Sequence, residues 1–380
     1  MKSEAGLVGS GFALVAACYG LARFAYGLFL PVIGTDLGLN QTRAGLIGAG
    51  SFAAYCAAVC AASVLCDRLG PRAVATAASA VATAGIALIA SARSPLALGV
   101  AVALAGLSTG LASPPLAAAV SAAVRPARQG AANTIVNSGT GAGVILSGSA
   151  ALLLGDAWRD AYAAFCAISL GVTAWVWRAT PARSGGGGPV VLLPALTAPA
   201  LRPALAAAFL AGAASTAVWT FGGRLLHDLA GWDGARVGLA WIVIGAAGLA
   251  GAAAGTLVRA FGLNAVHRLS LAAMAAAFLT LASAAGTAPW AFLAAALFGG
   301  AYIMVTGVLL VWGVEAVPSH PALGLGAPFL SLAVGQVIGA PAFGALYDAL
   351  GAPTALIASS AACLGAMVFG RAGRAATFAQ

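Results

Sequence analysis

The chain has 380 residues, of which 62% are hydrophobic and only 7% charged, and its formal net charge is +9. A soluble domain averages about 45–50% apolar and about 25% charged residues, so this composition cannot cover a water-exposed surface. Soluble enzymes, disordered chains and conventional nucleic-acid binders are excluded, and the long apolar blocks mark an all-α polytopic membrane protein.

A spanning helix needs about 20 mainly apolar residues. Twelve such segments are predicted, over 7–33, 44–66, 73–91, 96–119, 130–154, 159–178, 203–226, 236–258, 266–286, 289–313, 324–346 and 352–370. Barrel strands are ruled out, because the segments are too long and do not alternate polar with apolar residues. Val15-Ala16-Ala17-Cys18 looks like a lipoprotein cleavage box, but Lys2 is offset by Glu4 and the apolar run continues to Pro31. The segment therefore reads as the first membrane helix. The six cysteines show no metal spacing and read as small packing residues, with neither disulfide nor metal expected. Pro114 and Pro115 should kink or end the fourth helix.

Arginine placement sets the orientation. With both termini inside, cytoplasmic segments hold Lys2, Arg68, Arg72, Arg125, Arg128, Arg178, Arg183, Arg202, Arg259, Arg268, Arg371 and Arg374. The outer segments hold Arg43, Arg93, Arg159, Arg224 and Arg236, a clear positive-inside bias. The basic excess is thereby explained without a nucleic-acid partner.

The longest polar break, 179–202, contains Gly185 to Gly188 and several prolines, and reads as a flexible cytoplasmic linker. It divides the chain into six-helix bundles over 1–178 and 203–380. Arg43-Ala44-Gly45-Leu46 matches Arg236-Val237-Gly238-Leu239, and Leu69-Gly70 matches Phe261-Gly262 at nearly the same offset. These matches point to two six-helix pseudo-repeats with a site between them at the bilayer midplane.

Asp67-Arg68-Leu69-Gly70-Pro71-Arg72, after the second span, resembles the loop pattern Gly-x-x-x-Asp-Arg-x-Gly-Arg-Arg of the major facilitator superfamily, with Ser63 and Pro71 as departures. Arg128-Gln129-Gly130-Ala131, Asn137-Ser138-Gly139-Thr140-Gly141 and Trp158-Arg159 resemble further patterns of that superfamily. Gly20-Leu21-Ala22-Arg23-Phe24-Ala25-Tyr26-Gly27, followed by Leu30-Pro31, is similar to its YbfB/YjiJ-type branch. The resemblance implies a major facilitator fold of 12 transmembrane helices and alternating access by rocking of two bundles. It also implies a cytoplasmic gate latch at Asp67, Arg68, Gly70 and Arg72. Where a second copy of the motif is expected, Arg259 replaces the aspartate, so the acid-dependent contact is expected on one side only. Gly344 to Gly351, with Asp348, has similar spacing but is placed outside and read as a turn.

Arg23 is the most informative residue. It lies about 24 Å along the first helix, and an arginine at the bilayer centre costs about 2.5–3.5 kcal/mol on insertion scales. Tyr19 and Tyr26, four before and three after, share its face in an α-helix. That stripe suits a carboxylate or another anion, because guanidinium bonds planar oxyanions bidentately. Bracing of neighbouring helices through backbone carbonyls is the other reading of Arg23. Further polar residues at cavity-type spacing are Asn133 and Asn137, Thr216 and Thr220 beside Trp219, Tyr302 and Thr306, and Gln336. Each can equally serve helix-to-helix hydrogen bonding. His227 and His267 read as interfacial. Gly139 and Gly143 on the fifth helix, and Gly251 and Gly255 on the eighth, offer small faces for close approach.

No aspartate or glutamate lies deep within a span, Asp160 standing at the very start of 159–178, so the buried carboxylate that many proton-coupled carriers use has no counterpart here. The expected function is secondary transport of a small organic solute, anionic or carboxylate-bearing, across a bacterial inner membrane. The protein would act as a monomer in contact with lipid, without cofactor and without enzyme chemistry. Multidrug efflux of lipophilic compounds is the alternative. A non-transporting receptor or membrane enzyme finds no nucleophile–base pair or metal cluster to support it.

Overall fold

The computed structural model describes residues 4–182, 199–283, 287–317 and 321–371. The Gly185–Gly188 run of the expected linker and residues 284–286 of the ninth expected span lie outside them. Among the described residues there is no strand, and eleven helices are long and apolar enough to cross a membrane. In chain order the helices are α1 (Glu4–Leu37), α2 (Gln41–Leu69), α3 (Pro71–Ser91), α4 (Pro95–Ala123), α5 (Pro126–Leu154) and α6 (Trp158–Ala179). They continue with α7 (Arg202–Trp219, then Gly222–Ala230) and α8 (Gly234–Gly248, a 3-10 turn over Leu249–Ala253, then Ala254–Phe261). The last are α9 (Leu263–Ala282), α10 (Ala288–Ala316), α11 (Pro321–Leu350) and α12 (Ala352–Ala366), which at 15 residues is apolar but short.

Local sequence explains the ends. Asn40, Ser94 and Asp233 cap α2, α4 and α8 by accepting the N–H of Arg43 at 2.9 Å, Ala97 at 3.2 Å and Arg236 at 2.9 Å. Prolines stand in the first turn of α3, α4, α5 and α10, where a missing N–H costs nothing. The turns after α2, α8 and α11 use Gly70, Gly262 and Gly351 at φ of 81°, 83° and 83°.

The structure departs from the expected helices at three places. α4 runs unbroken through Pro114 and Pro115, although the carbonyls one turn back lose their N–H donors. α7 breaks at Thr220–Phe221 instead of continuing to 226, and a 3-10 turn interrupts α8. His267, in the second turn of α9, is fully buried, edge-on to Trp312 with ring centroids 5.3 Å apart.

Within 4–179, α2 packs on α4, α4 on α3, α3 on α6, and α5 on α1. Within 199–366, α7 packs on α11, α10 on α8 and α9, and α9 on α12. The two groups meet along α2–α11, α5–α8 and α1–α7. These seams are tightest toward the end that carries Asp348. A Cβ on Gly148 of α5 would lie 2.6 Å from the Gly238 carbonyl oxygen of α8, and one on Gly27 of α1 2.2 Å from that of Trp219. Seven residues along, Gly141 still meets Gly245, at 3.0 Å. One heptad further toward the Asp67 end, Thr134 is exposed, as are Asn137 and Ala253. α5 and α8 therefore diverge beyond the 3-10 turn of α8, and a cleft opens toward the Asp67 end.

At the Asp348 end, Asp228 ties α7 to α11. It accepts from Arg224 Nε at 2.7 Å and the Tyr347 hydroxyl at 2.8 Å, and shares a hydrogen bond with His227 Nδ1 at 2.9 Å. Burial raises its pKa, but the bonds from His227, Arg224 and Tyr347 outweigh that and hold the carboxyl below its usual range. Such a group adds stability that is present above the ordinary carboxylate pKa of about 4 and lost as pH falls through its lower folded value. Melting temperatures of wild type should therefore drop more steeply below about pH 4 than those of Asp228→Asn. Parallel curves for the two proteins would refute this.

Candidate functional site

The site is built on an irregular stretch of α1. Ala16–Phe24 is π-helical, and the N–H of Ala25 reaches back five residues to the Gly20 carbonyl. Each such turn holds more residues than an α turn, so the helix leaves it out of α register. Gly20 presses on Gly143 of α5, where a Cβ would lie 2.2 Å from the carbonyl carbon. The register shift separates the expected tyrosine stripe. Tyr26 turns away and its hydroxyl donates to the Ala44 carbonyl at 3.0 Å.

Arg23 is 7% exposed, within the seam between the two groups of helices. Its guanidinium carbon lies 4.6 Å from the Phe52 ring centroid, 4.7 Å from Tyr55 and 5.4 Å from Phe24. Its Nη2 donates to Gln336 Oε1 of α11 at 3.1 Å, and its Nε has no hydrogen-bond partner among the described residues. Gln336 in turn donates to Ser215 Oγ of α7 at 3.1 Å and approaches the Tyr302 hydroxyl of α10 at 3.5 Å. Trp219 stacks on Phe24 at 4.1 Å and meets Tyr302 and Phe298 edge-on, both at 5.3 Å. Tyr19 is 3.1 Å from Ser113 Oγ, hydroxyl to hydroxyl.

Thus Arg23, Tyr19, Trp219, Tyr302 and Gln336 come together, and Tyr26 does not. Thr220 lies at the α7 break against Gly48, and Thr306 spends its hydroxyl on the Ile303 carbonyl at 2.8 Å. Asn133 is half-buried and Asn137 exposed, further along α5 toward the Asp67 end. Phe52, Tyr55 and Ser215 join the site without having been expected. The two aromatics are three residues apart on α2, so their shared face was readable, but nothing in the sequence placed that face against α1.

The expected gate and packing residues are arranged as follows. Asp67 and Arg68 are exposed. Gly70 and Arg72 anchor instead to the end of α6, where Arg72 Nε donates to the Thr180 carbonyl at 2.9 Å and a Cβ on Gly70 would meet the Ala182 oxygen at 2.1 Å. Gly139 and Gly143 pack against α1 at Phe12 and Ala16, and Gly251 against Ile303 of α10, so none of them forms the α5–α8 seam. Gly255 meets only the Nη1 of Arg259, 3.8 Å from where its Cβ would be. The seam uses Gly141 and Gly148 against Gly245 and Gly238, because antiparallel helices bring residues seven apart back to one line of contact.

A separate cavity of about 780 Å³ lies at the Asp348 end among α1, α5, α6, α7 and α8. Asp36, Trp158, Arg159, His227 and Trp232 line it, and Arg159 pairs with Asp36.

A seam between two groups of apolar helices, closed at one end, open at the other and holding the buried charge of Arg23 near its middle, defines a membrane carrier. The chain belongs to the Major Facilitator Superfamily, whose family model matches residues 12–327. Solved structures agree on the fold. A variant of the nucleoside transporter NupG superposes with a TM-score of 0.82 at 13% identity, covering 96% of this chain and 98% of that one. The xylose transporter XylE from E. coli, in a partially occluded inward-open conformation, gives 0.76 at 13% identity and 96% coverage of both chains. The human organic anion transporter MFSD10 gives 0.69 at 17% identity, covering 97% of this chain and 100% of that one. No curated protein sequence matches. The chain is a transporter and not an enzyme.

Proposed function

We propose that the chain carries a small organic anion, carboxylate-bearing and with an apolar or aromatic body, by alternating access. The observation that carries this reading is Arg23. Its guanidinium is buried among rings, bonded only to a neutral amide, and no carboxylate pairs with it among the described residues. A charge held this way is costly until an anion compensates it, and Nε with the remaining Nη hydrogens offers a two-pronged donor. Tyr19, Trp219 and Tyr302 would flank the apolar body. The neighbours named for their cargo carry a nucleoside, a sugar and organic anions, and the last class fits a lone buried guanidinium. Multidrug efflux of cations lacks the buried counter-charge it needs.

The architecture supporting this reading is twelve spans in two six-helix halves, 1–178 and 203–380, with the 15-residue α12 completing the second. Repeated contacts favour the halves. Gly139 and Gly143 of α5 press on Phe12 and Ala16 of α1, as Gly335 and Gly339 of α11 press on Phe209 and Ala213 of α7. Gly106 meets Ser51 as Gly299 meets Ile244. We place both termini in the cytoplasm of a bacterial inner membrane, so the open cleft faces inward. Asp67 and its neighbours would latch that side when it closes. The protein would work as a monomer, in the YbfB/YjiJ-type branch whose Gly20–Gly27 segment here overlaps the π-helical stretch bearing Arg23.

The test places a carboxylate where the solute's would go. Gln336→Glu should pair with Arg23, weaken stabilisation by small carboxylates about 100-fold or more in concentration, and leave the melting temperature equal or higher. If carboxylates never stabilise the wild type and lipophilic cations do, the anion reading is wrong.

A further inference from the structure

Asp348 ends α11, yet its carboxylate bonds to the beginning of α2. Oδ1 accepts the Gln41 N–H at 3.1 Å, and Oδ2 accepts the Thr42 N–H at 2.8 Å and the Thr42 hydroxyl at 2.6 Å. Asn40 takes the next N–H, that of Arg43. The first turn of a helix leaves such donors unpaired and carries the positive end of its dipole, so a carboxylate is its best partner. Beneath it the two helices run antiparallel in backbone contact. A Cβ on Gly344 would lie 2.3 Å from the Gln41 oxygen, and one on Gly45 2.4 Å from that of Ala340.

The other end of this seam is built alike. Asp67 ends α2 as Asp348 ends α11, and each is followed three residues later by a glycine of φ near 80°, Gly70 at 81° and Gly351 at 83°. Counted from the Gly45–Ala340 contact, the start of α11 at Pro321 is level with Val64, so Asp67 lies about one turn beyond it, as Asp348 lies about one turn beyond the start of α2 at Gln41. Asp67 is exposed and pairs with no cation among the described residues. Asp348, whose spacing reads as a turn, thus also bridges α11 to α2.

We propose that Asp348 is the latch of its own end of the carrier, gripping the start of α2 while the Asp67 end is open. Asp67, the latch that the resemblance already implies for the other end, is its counterpart there and not part of this inference. This rests on the alternating-access part of the proposed function and not on the nature of the solute. Releasing one grip is offset by making the other, which keeps the two end states close in energy, as a cycling carrier requires.

The test is hydrogen–deuterium exchange on the full chain in lipid nanodiscs, which reads neither solute nor flux. In Asp348→Asn, amides 41–44 should exchange about tenfold faster, and so should those of 148–152 and 238–241, which do not touch Asp348 but separate when that end opens. Thr42→Val, which removes only the hydroxyl bond, should give the same pattern at smaller size. Faster exchange confined to 41–44 overturns the latch and reduces Asp348 to a local cap, and so does no change anywhere. Asp67→Asn should leave all three segments protected; if it opens them, Asp348 is not what holds that end shut.

Discussion

Replacing Arg23 with alanine should abolish transport while leaving the protein folded, inserted and about as heat-stable as wild type. The functional half follows from the chemistry of the anchor. Removing the cationic partner of a desolvated anion costs about 2–5 kcal/mol, which is roughly 30-fold to several thousand-fold in affinity. The structural half follows from the surroundings. An arginine in the bilayer costs about 2.5–3.5 kcal/mol on insertion scales, and its contacts with Phe52 and Tyr55 return about 0.5–2 kcal/mol each. Gln336 keeps its bonds toward Ser215 and Tyr302 when the guanidinium is gone. The remaining balance is near zero. Arg23→Lys should retain a small fraction of activity, because the charge persists without the planar fork. Counterflow in proteoliposomes and melting curves on the same preparations decide the matter. Wild-type flux in Arg23→Ala would sink the anchor, and a protein that no longer folds would make Arg23 a brace.

The spans were legible in the sequence for a physical reason. Lipid offers no hydrogen bonds, so each crossing must satisfy its backbone within an apolar, largely helical segment of fixed minimum length. Interruptions were hidden for the converse reason. Thr220–Phe221 and Leu249–Ala253 break helices with residues that a continuous apolar helix would also accept, and backbone seams, not side-chain polarity, mark them. Arg23 and Gln336 stood out because a charge and an amide are expensive there. Phe52 and Tyr55 did not, because rings are ordinary in an apolar span. Tyr26 was misplaced by assuming α register across a π-helical stretch, which packs through Gly20 against Gly143, more than a hundred residues away in the chain. Spacing of four also misdirected the glycines, since the α5–α8 seam repeats every seven residues.

That seam supplies the second large effect, because it must part at the Asp348 end if the carrier alternates. Gly238→Leu should reduce flux to background while solute binding survives. A Cβ on Gly238 would already lie 2.5 Å from the Gly148 oxygen and 2.8 Å from the Leu152 nitrogen, and a leucine adds three more carbons. Backbone atoms on both helices cannot yield by rotamer change, so α5 and α8 must stand apart. In a rigid core such overpacking costs about 1–3 kcal/mol. Here the molecule has a less costly response, which is to remain in the conformation where that end is open. The substitution leaves Arg23, Gln336 and the ring cluster untouched, so a stabilising carboxylate should still raise the melting temperature. Gly255→Leu, on the same helix but with only the Nη1 of Arg259 near its Cβ, should transport normally. Equal loss in both variants would mean that leucine on α8 damages the helix itself. Normal flux in Gly238→Leu would mean that the Asp348 end never needs to close.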